Sequence, residues 1–210
     1  MNGRRGLPVR VIISDSGPLI SLAACDRLNL LLEFQRPVLV LDVIKAECLR
    51  HPDKIGAATL AAWFDGPGCP VEIIPTPFLA AWQQAVAEEE ANPESHISVG
   101  IGDGANAWAL KQAQIDASIH QPTLVLTEDG PFGDGILRDR FPEVHVLSTR
   151  AFLRTLENFG RIPSAQAVLD EIAHAGRQLA RYMADRPGRP TPGAKTTWAD
   201  VLSTHPEGTT

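Results

Sequence analysis

Near its N-terminus the chain reads VRVIISD from Val9 to Asp15, an apolar and mostly β-branched run that stops at an acid. Such a run is typical of a buried β-strand. We therefore predict a strand over Val9–Ser14, with Asp15 at its carboxyl end. A carboxylate at the end of a buried strand is costly unless a cation meets it.

Acids recur at comparable places further along the chain. Glu47, Asp103 and Asp129 each follow an apolar run or begin a helical pattern, and Asp134 is an additional candidate. If these side chains converge with Asp15 on one edge of a sheet, their oxygens suit a hard divalent cation such as Mg²⁺. Clustered carboxylates repel one another, and a cation would relieve that repulsion.

The rest of the chain alternates between short apolar runs and segments of helical spacing. We predict further strands at Val38–Leu41, Val71–Ile74, Thr123–Thr127 and Val144–Leu147. We predict a turn at Ser16-Gly17-Pro18 and helices at Leu19–Leu32, Val43–Leu49, Ala57–Phe64, Phe78–Glu90, Gly104–Gln114, Ala151–Leu156 and Ala165–Ala184. This alternation predicts an α/β fold whose parallel sheet binds ligands beyond the carboxyl ends of its strands.

Length and composition fit one domain with extra segments. The chain has 210 residues, of which 44% are hydrophobic, enough for a real core. We expect a principal domain over residues 9–160 and a C-terminal helical extension over residues 161–184. Residues 185–210 are rich in Pro, Gly and Thr, and we expect them to form a flexible tail.

Charge and cysteine content narrow the setting. The formal net charge of -6 does not point to nucleic-acid binding, although a local basic patch or a metal can reverse the field at a site. The three cysteines lack CxxC spacing, which favours reduced thiols. No signal peptide or membrane span is predicted, so we expect a soluble, cytoplasmic protein.

Each candidate acid also has an ordinary structural interpretation. Asp15 and Asp129 stand where turns are expected, and Asp is common in turns. Asp103 could be a helix N-cap, and Glu47 could be an exposed helix residue. The order and placement of the acids, taken together, favour a site.

Four segments resemble the PIN-domain family, and within it the toxin-like PIN proteins of bacterial toxin–antitoxin modules. They are VIISDSGPLI at Val11–Ile20, VLVLDVIKAE at Val38–Glu47, GDGANAWAL at Gly102–Leu110 and LVLTED at Leu124–Asp129. The resemblance covers residues 9 to 155. It implies a three-layer α/β/α sandwich with a central, mostly parallel sheet and an acidic pocket.

The resemblance also implies an activity, namely hydrolysis of RNA phosphodiesters by an endoribonuclease that uses Mg²⁺ or Mn²⁺. By this likeness Asp15, Asp103 and Asp129 hold the metal, and Glu47 completes the catalytic set. The supporting residues would be Ser16, Thr127, Glu128 and Asp134, and either Glu128 or Asp129 could face the metal. The implied partners are RNA, an antitoxin that covers the acids and a second copy, with Leu19–Leu32 as a candidate dimer surface.

Two other functions stay open. A PIN-like module could bind RNA or an antitoxin without cutting, because a fold does not fix a function. A phosphatase of haloacid-dehalogenase type also uses an acid after its first strand, but it needs a second Asp two residues later, where this chain has Gly17. In the nuclease hypothesis, basic residues near the mouth of the site, such as Lys45, Arg50 and Arg138, could contact phosphates.

Overall fold

The computed structural model describes residues 10–13, 15–33, 38–92, 94, 101–102, 104–105, 107–109, 111, 123–128 and 144–179. Within these residues a five-stranded parallel sheet is packed with helices, as the alternation of segments predicts. The strands are β1 (Arg10–Ile13), β2 (Val38–Leu41), β3 (Val71–Ile74), β4 (Thr123–Leu126) and β5 (Val144–Leu147). The helices are α1 (Ser16–Ala24), α2 (Asp42–Leu49), α3 (Ala57–Asp65), α4 (Leu79–Ala91), α5 (Thr149–Asn158) and α6 (Ala165–His174).

The strand order places β1 at the centre of the sheet. The order is β3-β2-β1-β4-β5, and every pair of neighbours is parallel. Ile13 is in register with Val40 of β2 and with Leu126 of β4. The chain therefore moves to one side of β1 through β2 and β3, and it returns on the other side as β4 and β5. This reversal makes the gap between β1 and β4 the switch point at which parallel sheets bind ligands.

The strands next to β1 are covered on both faces. The VLVL sequence of β2 has exposures of 7% or less, and Leu124, Val125 and Leu126 of β4 have none. Continuous apolar runs suit strands that helices cover on both faces. The core also includes Leu19, Leu22 and Phe152 from the helices, each fully buried.

The start of α1 differs from the sequence prediction. The predicted loop turn at Ser16-Gly17-Pro18 is wrong, because these residues are helical and begin α1. Asp15 is the N-cap of this helix. Proline is tolerated there because the first helical N–H groups have no partner within the helix. Because α1 begins at Ser16, Asp15 lies between the end of β1 and the start of a helix.

The single helix predicted over Leu19–Leu32 is also wrong. Helix α1 ends at Ala24, and a separate 3₁₀ turn covers Leu28–Leu32. Between them Asp26 has φ of 57°, and the Arg27 N–H donates to the Leu22 carbonyl at 2.8 Å. A residue in the left-handed region with this backward hydrogen bond is a common helix ending.

The apolar side chains of the same segment are used inside the chain. Leu19, Leu22, Leu28 and Leu31 are each at most 4% exposed and belong to the core. The apolar face proposed as a dimer surface is thus already covered by the protein's own core.

Helix α6 packs against α1 and α5, and its Val168, Leu169 and Ile172 belong to the same core. It ends at His174 instead of continuing to residue 184 as predicted. Gly176 has φ of 87°, and the Arg177 N–H donates to the Ile172 carbonyl at 3.1 Å. This helix ending directs the chain back toward α1.

Helical backbone is already present just before Asp103. Ile101 and Gly102 are helical, so the helix does not begin at Asp103 as predicted.

Among the helices of the described residues, none combines the length and the apolar character that crossing a membrane requires. Residues 180–210, which include the predicted tail, lie outside the described residues.

Candidate active site

Asp15 lies at the switch point and is held from two directions. Its Oδ1 accepts a hydrogen bond from the Gly17 N–H at 3.0 Å, which caps α1. Its Oδ2 accepts from the Glu128 N–H at 2.7 Å and from the Thr127 hydroxyl at 3.4 Å. A carboxylate has about four acceptor sites, so these hydrogen bonds leave Asp15 able to accept another donor or a cation.

Glu47 is connected to the same place through Ser16. The Ser16 hydroxyl donates to Glu47 Oε1 at 2.9 Å across 31 residues of sequence. Gly102 is also close, since a Cβ built on it would lie 4.0 Å from Glu47 Oε2. The start of the GDG segment is therefore next to the Glu47 carboxylate.

The carboxylates of Asp15 and Glu47 are both near the buried Cys48 thiol. Burial raises the pKa of Cys48 well above its usual value, and the charges of Glu47 and Asp15 raise it further. Cys48 is 5% exposed. Asp15 and Glu47 thus act on one buried group, which places their negative charges in the same region of the fold.

Thr127 and Glu128 form the other side of the site, immediately after β4. Thr127 is 3% exposed, and its N–H donates to the Leu147 carbonyl at 3.1 Å. Its hydroxyl contributes the weaker hydrogen bond to Asp15. Ser16 and Thr127 thus each donate a hydroxyl hydrogen bond to an acid, Ser16 to Glu47 and Thr127 to Asp15.

The Glu128 side chain is engaged within the chain. Its Oε1 accepts from the Thr149 hydroxyl at 2.6 Å, and its Oε2 is paired with Arg177 Nη2 at 3.4 Å. The Ser21 hydroxyl is close enough to this carboxylate to affect its pKa. Burial raises the pKa of Glu128, while these hydroxyl groups and the Arg177 charge act in the opposite direction. The peptide N–H of Glu128, and not its carboxylate, makes the hydrogen bond to Asp15.

Sequence reasoning missed Ser21, Thr149 and Arg177 as neighbours of the candidate site. Arg177 lies 49 residues beyond Glu128. Nothing in the local pattern around an arginine after a helix indicates which acid it will meet. Only the packing of α6 against α1 brings the two together.

Four of the predicted residues are not in the part of the chain that the structure describes. Asp103, Asp129, Asp134 and Arg138 lie outside the described residues. Within the part of the chain that is described, no three His, Cys, Asp or Glu side chains are grouped so as to hold a metal ion. Among the predicted acids that are described, Glu128 lies beside Asp15, and Glu47 is connected to the residue after Asp15 through the Ser16 hydroxyl.

Two of the three basic residues expected to contact phosphate are paired within the chain. Lys45 forms an ion pair with Asp65 at 3.0 Å, and Arg50 forms one with Glu89 at 3.0 Å. These pairs supply a structural role for both cations.

Asp42, by contrast, is a structural acid at the end of the neighbouring strand. Its Oδ2 accepts from the Thr76 N–H at 2.8 Å, and its Oδ1 accepts from the Thr76 hydroxyl at 2.7 Å and the Val43 N–H at 2.7 Å. It fastens the loop after β3 to the start of α2. It serves as a natural comparison for Asp15.

A cavity of about 760 Å³ lies elsewhere, between the end of α1 and helix α3. Arg27, Ala62 and Trp63 are among the residues that line it, whereas Asp15, Glu47 and Glu128, the candidate acids that are described, do not. The cavity is therefore separate from the candidate site.

Comparison of the chain with protein-family models, with curated proteins and with solved structures gives no match.

Proposed function

We propose that this protein is a PIN-like endoribonuclease that hydrolyses RNA phosphodiesters with Mg²⁺ or Mn²⁺. The observation that carries the proposal is the position of Asp15, at the end of the central strand and between β1 and β4, with Glu47 joined to it through Ser16. Ligands of open parallel sheets bind at this kind of position. The choice of RNA as substrate rests on the sequence resemblance.

The PIN-like three-layer sandwich is part of the same proposal. Crossovers between parallel strands are right-handed. Because the chain crosses in one direction from β1 to β3 and in the other from β3 to β5, right-handed connections put the two groups of helices on opposite faces of the sheet. That arrangement favours three layers.

The donor groups fit a hard cation. Carboxylate and hydroxyl oxygens of Asp15, Glu47 and Ser16 are the ligand type that Mg²⁺ and Mn²⁺ prefer. We propose that Asp15, Asp103 and Asp129 hold the metal. A bound dication would polarise the phosphodiester and make a water more nucleophilic.

The protein's own groups have separate tasks in this proposal. Glu47 is exposed, so its carboxylate is accessible to orient or deprotonate the attacking water. Ser16 fixes that carboxylate by donating to Oε1. Thr127 and the Glu128 N–H fix the orientation of Asp15. A role as the toxin of a toxin–antitoxin module, with an antitoxin that covers these acids, extends the proposal on the strength of the resemblance.

The second candidate is a PIN-like binding module that does not cut RNA. Both oxygens of Asp15 already accept hydrogen bonds, which would suffice for a purely structural acid. The two functions differ in their response to loss of the Asp15 charge, since a structural cap works about as well with Asn as with Asp.

The test is RNA cleavage in Mn²⁺ by the wild type, by Asp15→Asn and by Asp42→Asn. We expect Asp15→Asn to lose more than the roughly 10- to 100-fold that changing a group behind a metal ligand costs. Asp42→Asn should keep the wild-type rate, because Asp42 accepts hydrogen bonds from the Val43 N–H and from Thr76 and is not one of the candidate metal ligands. Folding of both variants is checked by circular dichroism. If Asp15→Asn cleaves as fast as the wild type, or if EDTA leaves the wild-type rate unchanged, the nuclease proposal is wrong.

A further inference from the structure

A buried polar cluster lies directly behind Asp15. We call it the Glu128 cluster, and it consists of Ser21, Glu128, Thr149 and Arg177. Ser21 and Thr149 are at most 1% exposed, and the Glu128 side chain is 15% exposed. Thr149 donates to Oε1 and Arg177 is paired with Oε2, while Arg177 Nε also donates to the Ser21 hydroxyl at 3.4 Å. Both carboxylate oxygens of Glu128 are thus engaged.

The Glu128 cluster is packed tightly against Gly17. A Cβ added to Gly17 would lie 2.7 Å from Glu128 Oε2, 2.8 Å from Glu128 Cβ and 3.0 Å from Asp15 Oδ2. Glu128 and Asp15 therefore crowd the same side of Gly17. The N–H that donates to Asp15 belongs to the same residue, so a shift of the Glu128 backbone and Cβ would loosen that hydrogen bond.

Arg177 supplies the positive charge in this cluster. The Glu128 carboxylate is largely buried and has the Asp15 carboxylate close by. A buried carboxylate beside another one needs a cationic partner or strong donors to stay in place. The helix ending at Gly176 brings Arg177 to that position from the far end of α6.

We propose that Arg177 is a positioning residue for the candidate cation site. By holding the Glu128 side chain, it keeps the Glu128 N–H directed at Asp15 Oδ2 and so keeps Asp15 oriented for the cation. The inference rests on the proposed function, because that function is what gives Asp15 a cation to hold. The inference adds that the segment after α6, which contains Arg177, contributes to the candidate active site.

The test compares Arg177→Ala and Arg177→Lys with Arg27→Ala. Arg27 is the matched control, because it pairs with Glu171 and also connects α1 to α6, but it does not contact Glu128. We measure the dissociation constant for Mn²⁺ from the paramagnetic resonance of the free ion. We also measure hydrogen exchange of the Glu128 amide by NMR, which requires no cleavage activity.

We expect Arg177→Ala to weaken Mn²⁺ binding by at least about tenfold, the usual effect of removing a group that orients a metal ligand. The Glu128 amide should exchange faster in this variant. Arg177→Lys should recover part of both properties, since it keeps the charge but loses the Nε donor to Ser21. Arg27→Ala should match the wild type in both. A general loss of stability would not separate the two arginines in this way.

The outcomes distinguish the two proposals. If the wild type binds Mn²⁺ and Arg177→Ala binds it equally well, the positioning role is wrong and the nuclease proposal stands. If the wild type neither binds Mn²⁺ nor cleaves RNA, both are wrong. Should Arg177→Ala fail to fold, Thr149→Val removes the other donor to Glu128 with little change in shape. Unchanged Mn²⁺ binding and amide exchange in that variant would likewise overturn the inference.

Discussion

Asp15 joins three parts of the fold through one side chain. It ends β1, caps α1 through the Gly17 N–H and ties β4 through the Glu128 N–H. Hydrogen bonds from N–H groups to a carboxylate are stronger than those between neutral groups. The same bonds that stabilise the fold therefore also fix the direction in which Asp15 presents its remaining acceptor sites.

Gly17 provides a test at the scale of one residue. In a helix Ala is normally more stable than Gly by roughly 0.5–1 kcal/mol. At this position an added Cβ would lie 2.7 Å from Glu128 Oε2 and 2.8 Å from Glu128 Cβ. We therefore expect Gly17→Ala to lower the free energy of unfolding by about 1–3 kcal/mol, which is typical of overpacking. Chemical denaturation measures the change, and a variant more stable than the wild type would contradict the close packing.

The sequence could identify single residues at the site better than their partners. Asp15 stands out because it comes just after an apolar strand, and Glu47 stands out because it lies on the short helix that follows the next strand. The choice between adjacent Glu128 and Asp129 could not be made, since it depends on Thr149 and Arg177, which are distant in the chain. The functional assignment of Asp103 and Asp129 stays a prediction.

Among the elements, α1 and α6 are joined at the protein surface by Arg27 and Glu171. The guanidinium Nε and Nη2 each donate to a Glu171 carboxylate oxygen at 2.8 Å. This pairing lowers the pKa of Glu171. The side chains are 45% and 40% exposed, so solvent screens the pair and it should contribute less than about 1 kcal/mol.

The pH dependence of this pair follows from the lowered pKa. The unfolded chain binds the Glu171 proton more tightly than the folded protein, so the pair stabilises the fold above the ordinary Glu pKa. That contribution disappears as pH falls through the lowered, folded-state value. We expect Glu171→Gln to be slightly less stable than the wild type at pH 7 and equal to it in acid. Urea denaturation from pH 7 to pH 3 tests this, and a difference that grows toward acid would contradict the pairing.

The ends of elements were harder to predict than their presence. The strands β2, β3 and β5 have the predicted bounds, because a proline stands at or just before the start of each short run and a strand-disfavouring residue follows it. Helix ends depend on details that apolar spacing does not carry. Asp26 takes a left-handed conformation although Leu28, Leu30 and Leu31 continue an apolar pattern. Ser16-Gly17-Pro18 has turn composition, but the Asp15 cap and packing on the sheet make it helical.

At the scale of the whole molecule, α6 belongs to the main core. Ile172 is fully buried and lies in one cluster with residues of the sheet. We expect Ile172→Ala to lower the free energy of unfolding by about 2–5 kcal/mol. The loss should appear in a single transition seen by both circular dichroism and tryptophan fluorescence. Two separate transitions, with only the smaller affected, would show that α6 unfolds independently of the sheet.

The overall α/β class followed from the sequence because alternating strands and helices leave few arrangements. The order β3-β2-β1-β4-β5 is additional information from the structure. It places Asp15 and the Thr127–Glu128 pair on neighbouring strands. Convergence of the acids at one metal site stays a prediction, while Glu47 is connected to the residue after Asp15 through the Ser16 hydroxyl.

Crystals of the protein grown with Mn²⁺ give the most direct measurement of the central claim, through the anomalous scattering of the ion. If Asp15 is a metal ligand, we expect an anomalous peak within about 2.5 Å of an Asp15 carboxylate oxygen. We expect that peak to be lost in Asp15→Asn. Crystals saturated with Mn²⁺ that show no peak beside Asp15 would contradict the account, and so would a peak that persists unchanged in Asp15→Asn.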